Sequence, residues 1–133
     1  MIDALIAYLL AYTAITTLTG QRIRPVVRKQ GDIPPCIVVA PIISLGNYST
    51  NAPTDLYETR VQIDCYGLTF NQADTLAKAV RRRLNGQRFT TGGVDFQGLF
   101  LTSLRSSYEA ADADQRIHRA SIDFRVWHSE PNA

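Results

Sequence analysis

Residues 57–66 alternate without a break. Tyr57, Thr59, Val61, Ile63 and Cys65 fall on one side, and Glu58, Arg60, Gln62, Asp64 and Tyr66 on the other. A period of two is the signature of a β-strand with one face to bury and one face in water. Residues 116–128 repeat it. His118, Ala120, Ile122, Phe124, Val126 and His128 share one face; Arg119, Ser121, Asp123, Arg125 and Trp127 share the other. Two such strands demand a sheet covered on one side only, which is the layout of an α+β domain rather than of a parallel α/β fold.

The cover is legible as two helices. Residues 2–13 place Ile2, Leu5, Ile6, Leu9 and Leu10 at helical spacing, with Ala4, Ala7 and Ala11 raising propensity. Thr16, Thr17 and Thr19 weaken that helix and Gly20 ends it. A second helix starts with Asn71 as its N-cap. Ala73, Leu76, Ala77, Val80 and Leu84 form its buried stripe, and Asn85-Gly86 closes it.

The remaining strands are shorter signals. Residues 21–23 read as a short strand limited by Pro25. The Ile/Val-rich run 36–43 reads as a strand in which Pro41 marks an edge or a bulge. It forms a hairpin with 57–66 around a loop tip at 46–53. Pairing Val38 with Ile63 sets Cys36 opposite Cys65 and leaves Ile37, Val39 and Ile43 on a second apolar face that something else must cover. Residues 97–108 pair with 116–128 across a polar turn at 110–115. The expected fold is a mostly antiparallel sheet of four to five strands with two main helices packed on it, in a single domain spanning 1–133.

Composition removes several function classes. With 14 Lys+Arg against 12 Asp+Glu the net charge of +2 does not demand a nucleic-acid partner. The 2 cysteines cannot build a disulfide framework and are expected as thiols. The first 18 residues carry Asp3 where a signal peptide needs positive charge, and they are too interrupted to cross a membrane. His118 and His128 share a strand face but stand about 33 Å apart along it, so they cannot share a metal. No nucleophile elbow, Cys-x-x-Cys pair or phosphate loop occurs. The sequence thus points to no catalytic residue, no metal and no cofactor.

One charge feature stands out. Lys78, Arg81, Arg82, Arg83 and Arg88 form a basic run without an acid among them, and Glu109, Asp112 and Asp114 form an acidic turn. Arginine suits bidentate pairing with carboxylates at protein interfaces. The basic face at 78–88 also supports a second reading, a small nucleic-acid-binding α+β domain, although no stacking aromatics interleave with it.

Taken in order, several segments carry a family resemblance. They are the apolar N-terminal helix, Gly20-Gln21-Arg22-Ile23, Asp32-Ile33-Pro34-Pro35-Cys36-Ile37-Val38-Val39, and Tyr57-Glu58-Thr59-Arg60-Val61-Gln62-Ile63-Asp64-Cys65-Tyr66-Gly67. Asn71-Gln72-Ala73-Asp74 with its helix and the closing Ile122-Asp123-Phe124-Arg125-Val126-Trp127-His128 complete the set. Together they resemble the tail-completion, or tail-terminator, proteins of long-tailed bacteriophages and of related prophage or gene-transfer particles. The resemblance implies a structural virion protein, not an enzyme. It implies a ring, usually six-fold, that caps the head-proximal end of the tail tube and meets the head–tail connector. DNA would pass through the lumen without sequence-specific binding. Assembly would take place in the host cytoplasm. Six touching subunits of about 35 Å diameter leave a hole of about 35 Å, wider than duplex DNA. A head-to-tail ring needs two different adhesive surfaces per subunit. Candidates are Ile37, Val39 and Ile43 with Arg81, Arg82, Arg83, Glu109, Asp112 and Asp114, while Asn47, Tyr48 and Asn51 mark a lumen- or partner-facing loop.

Overall fold

The computed structural model describes residues 1–27, 33–48, 53–112 and 115–129, with side chains at all of these except 43–48, 53–56, 108–112 and 115–116. The order is α1 (Ile2–Leu10), α2 (Thr13–Thr19), β1 (Ile23–Pro25), β2 (Cys36–Tyr48), β3 (Pro53–Gly67), α3 (Phe70–Leu84), β4 (Phe89–Thr91), β5 (Val94–Asp112) and β6 (Gln115–Ser129). The strands form one six-stranded sheet in the order β1-β2-β3-β6-β5-β4. Every neighbouring pair is antiparallel except β1 with β2. The expected class therefore holds at the level of α+β; the differences are six strands instead of four to five, a mixed sheet and a third helix.

The two alternating strands are its centre. β3 and β6 pair directly, Val61 opposite Phe124 and Ile63 opposite Ile122, so their apolar residues meet on one face. Thr59, Val61, Ile63, Cys65, Ala120, Ile122, Phe124 and Val126 are all buried there. α3 lies over β3 and β6 and brings Ala73, Leu76, Ala77, Val80 and Leu84 onto them. α1 touches β1, β2 and β4. Since β1 and β4 are the two ends of the sheet, the sheet curls far enough for one helix to close its apolar side.

Local structure departs from the sequence reading at three places. The helix expected over 2–13 stops at Leu10, and the threonine-rich stretch forms its own helix, bent 91° from the first. Thr17 Oγ1 donates to the carbonyl of Thr13 at 2.7 Å and Thr19 Oγ1 to that of Ile15 at 3.3 Å, so the hydroxyls satisfy themselves within the helix they were expected to weaken. The N-cap of α3 is Thr69, not Asn71. Its Oγ1 accepts from Gln72 N at 3.1 Å, and Gln72 Oε1 accepts from Leu68 N at 2.7 Å, close to a capping box. Finally, Phe89–Thr91 is a strand. It pairs with the start of β5 across Gly92 and Gly93, whose φ values of 58 and 78 suit a two-residue hairpin.

The most consequential change is register. Val39, not Val38, pairs with Ile63, and Cys36 pairs with Tyr66. A shift of one residue exchanges the two faces of β2. Ile37 and Val39 thereby enter the main core at 0% exposure, and Cys36 and Val38 join Tyr66 and Ile117 in a small cluster on the opposite face. The bulkier pair goes where the helices supply the deeper packing. Pro41 is tolerated because the pairing slips between Pro41 and Ile43 and because β1 reaches only as far as Val39.

Gly67 sits where β3 gives way to α3. A Cβ there would lie 2.6 Å from the backbone nitrogen of Ala73. Gly67→Ala is expected to cost about 1–3 kcal/mol by forcing the helix off the strand, read as a shift in the urea unfolding midpoint.

Candidate functional site

α3 ends in three arginines whose fates differ. Arg83 turns back onto the chain: its Nε and Nη2 donate to the Tyr8 carbonyl at 3.2 and 3.0 Å. Its guanidinium lies 3.6 Å from the Tyr8 ring centroid and 5.1 Å from that of Tyr12. Arg83 thus ties the end of α3 to the α1–α2 corner, satisfying a carbonyl that the end of α1 leaves open. Tyr8 also stacks on Phe89 of β4 at 3.5 Å. Arg81 and Arg82 are exposed, and Lys78 pairs with Asp74 at 3.1 Å. The basic run is therefore a smaller free charge than its composition suggests.

A groove follows α3 on its β5 side, because the helix covers β3 and β6 and barely reaches β5. Asp74, Ala77, Lys78 and Arg81 line one cavity with Leu101, Leu104 and Ile122. Phe70, Ala73 and Asp74 line a second with Ser106, His118 and Ala120. Phe70 is 53% exposed and Leu104 49%, so apolar surface reaches solvent at both lips. The larger cavity holds about 30 Å³, an order of magnitude below a small-molecule site.

The other face of the sheet carries polar side chains. Arg125 Nε meets Glu58 Oε1 at 2.8 Å and Arg105 Nη2 meets Asp123 Oδ1 at 3.2 Å. Asp64 is buried and accepts from Ser121 Oγ at 2.6 Å and from Gln62 Nε2 at 3.0 Å. These contacts link side chains across β3, β5 and β6 and give the exposed face a defined shape. Phe100, 50% exposed, lies over Gly98, where a Cβ would stand 2.9 Å from its ring.

The sequence-derived candidates separate as follows. Ile37 and Val39 are core residues and are not available to a partner, the correction that the register imposes. Arg83 is engaged within the chain, while Arg81 and Arg82 are open. Ile43, Asn47 and Tyr48 lie on β2, and Glu109 and Asp112 on β5; their side chains lie outside the described set. Asp114 and Asn51 lie outside the described residues altogether. The groove lips Phe70 and Leu104 escaped the sequence reading. Leu104 follows the strand alternation only once the slip between Leu101 and Ser103 is known.

Two buried polar groups belong to the core. Thr59 Oγ1 and His128 Nε2 share a hydrogen bond of 2.7 Å, beside the rings of Tyr57 and Phe96. Cys36 and Cys65 are both buried free thiols. Burial, aided by Asp64 and then Cys36, pushes the Cys65 thiol far above its ordinary range. Among the described residues no cluster of His, Cys, Asp and Glu could hold a metal ion, and no single helix is long and apolar enough to cross a membrane.

The described residues thus form a sheet with one polar, ion-paired face and helices on the other. The same fold occurs in a solved chain described as "Virion of native gene transfer agent (GTA) particle", 16% identical, with a TM-score of 0.69 over 96% of this chain and 94% of that one. No curated protein matches the sequence. The model of the family described as "Tail completion protein gp17" matches residues 3–129. The chain belongs to that family and is a structural virion protein of the bacteriophage tail-completion type.

Arg83→Ala should lower stability by about 2 kcal/mol, from the lost charge-assisted bonds and the ring contact. Arg81→Ala and Arg82→Ala should stay within about 0.5 kcal/mol of the parent. Chemical denaturation of the three variants checks this. The raised Cys65 thiol carries a sign as well. Below its ordinary value of 9.0 the thiol is neutral folded or unfolded. Above it, the unfolded chain ionises first, so stability falls as pH rises, by up to about 1.4 kcal/mol per pH unit. Cys65→Val should flatten the stability profile between pH 8.5 and about 10.5.

Proposed function

We propose that copies of this chain form a ring, six-fold as the family resemblance implies, on the head-proximal end of the tail tube. The ring ends tube growth and offers the head–tail connector its joining surface. DNA passes through the lumen without base-specific contact. One ring face matches the tube protein and the other does not, so polymerisation stops without any covalent step.

The observation that carries this reading is the placement of two β-ribbons at opposite ends of one sheet. Among the described residues β6 pairs with β3 as far as Leu56 opposite Ser129, and the β2–β3 ribbon runs on to Tyr48 opposite Pro53. At the other end β3 stops at Gly67 opposite His118, and the β5–β6 ribbon continues to Asp112 opposite Gln115. A subunit with different projections at its two ends is suited to head-to-tail association, the arrangement that closes into rings. In this reading Arg81 and Arg82 face a neighbouring copy's acidic turn at Glu109, Asp112 and Asp114. The β2–β3 ribbon, with Asn47, Tyr48 and Asn51, faces the lumen or an axial partner.

Deletion of the gene from its parent phage or prophage is the direct test, read by negative-stain electron microscopy. Overlong tails, or tails unjoined beside filled heads, are the expected outcome. Normal-length tails joined to heads would overturn the proposal.

A further inference from the structure

We infer that the groove between α3 and β5 of one copy receives the acidic end of the β5–β6 ribbon, residues 109–112, of the next copy. The inference rests on the ring reading and adds where its subunits hold each other. Three observations on this chain meet there.

The groove has an apolar floor and a positive rim. Leu101 and Ile122 form part of the floor, Leu104 and Phe70 stand exposed at the lips, and Arg81 is open at one end. Asp74 is the acid between the two cavities, and Lys78 offsets it at 3.1 Å. The surface therefore calls for an occupant with small apolar side chains and negative charge. Its shallowness, about 30 Å³ in the larger cavity, favours small side chains.

The chain contains such a segment. Glu109-Ala110-Ala111-Asp112 combines two alanines with two carboxylates. Small side chains allow close approach, and the acids complement Arg81 and Arg82.

The segment cannot reach its own groove. Ala110 pairs with Arg116 and Asp112 with Gln115, so the ribbon runs on along the strand axis instead of folding back. Asp112 stands about 17 Å along β5 from Ser107, where that strand leaves the groove, at about 3.4 Å per residue. The contact is thus between copies. Because groove and ribbon end are different surfaces, each copy gives one and receives one, as a closed ring requires.

Paired cysteines test it in assembled particles. Ser106→Cys, in the groove, is combined with Ala111→Cys, on the ribbon end, in phage carrying the variant gene. The native Cys36 and Cys65 are buried and give no background. Mild oxidation and a non-reducing gel should show a ladder of covalent multimers. The control, Thr90→Cys on exposed β4 with Ala111→Cys, should stay monomeric. A charge exchange reads the same contact independently of cysteine geometry. Arg81→Glu and Asp112→Arg should each lower the yield of joined particles by about tenfold or more, and the double variant should restore it. Monomers alone from joined particles of the first pair, or no restoration by the double variant, would overturn the groove assignment and leave the ring standing. Normal joined tails in the deletion strain would instead remove the ring reading itself.

Discussion

The apolar face shared by β3 and β6 is the surface against which every other element is built. It exists because both strands alternate strictly and pair in a register that sets Val61 against Phe124 and Ile63 against Ile122. A face of that size left in water would cost more than the chain could recover elsewhere. α3 covers its middle, and the sheet curls so that α1 can touch both β1 and β4. The register of β2 follows from the same demand, with Ile37 and Val39 taken inward and Cys36 and Val38 left on the other side.

Arg83 shows how one side chain converts that packing into a connected molecule. It joins the end of α3 to the end of α1 through a carbonyl and an aromatic ring, and that ring stacks on β4. The residue beside it, Arg82, is exposed. Neighbouring identical residues thus divide between holding the fold and facing outward. Helical rotation of about 100° per residue is the reason.

The two sides of the sheet present different surfaces. The polar face is braced by ion pairs and serine bonds, and the groove beside α3 is shallow, about 30 Å³ in the larger cavity. The ribbons that project from the sheet extend reach without enlarging the core. The family membership supplies the setting of a phage tail-completion protein, and the geometry gives the sheet two unlike ends.

The sequence by itself determined what depends on local period and local chemistry. The two half-buried strands, the stripe of α3, its closure at Asn85-Gly86 and the turn at Gly92-Gly93 all follow from side-chain spacing and backbone preference. Thr69 to Gln72 and the short hairpin at Phe89–Thr91 carried equally local signals that composition obscured. Tertiary structure decided the rest. β2 is apolar on both faces, so its own pattern cannot choose a register, and only the depth available beneath the helices does. Which arginines of α3 are free depends on where Tyr8 and Tyr12 arrive from the far end of the chain. The groove exists because α3 stops short of β5, a matter of how one helix fits a curled sheet, on which no residue spacing reports.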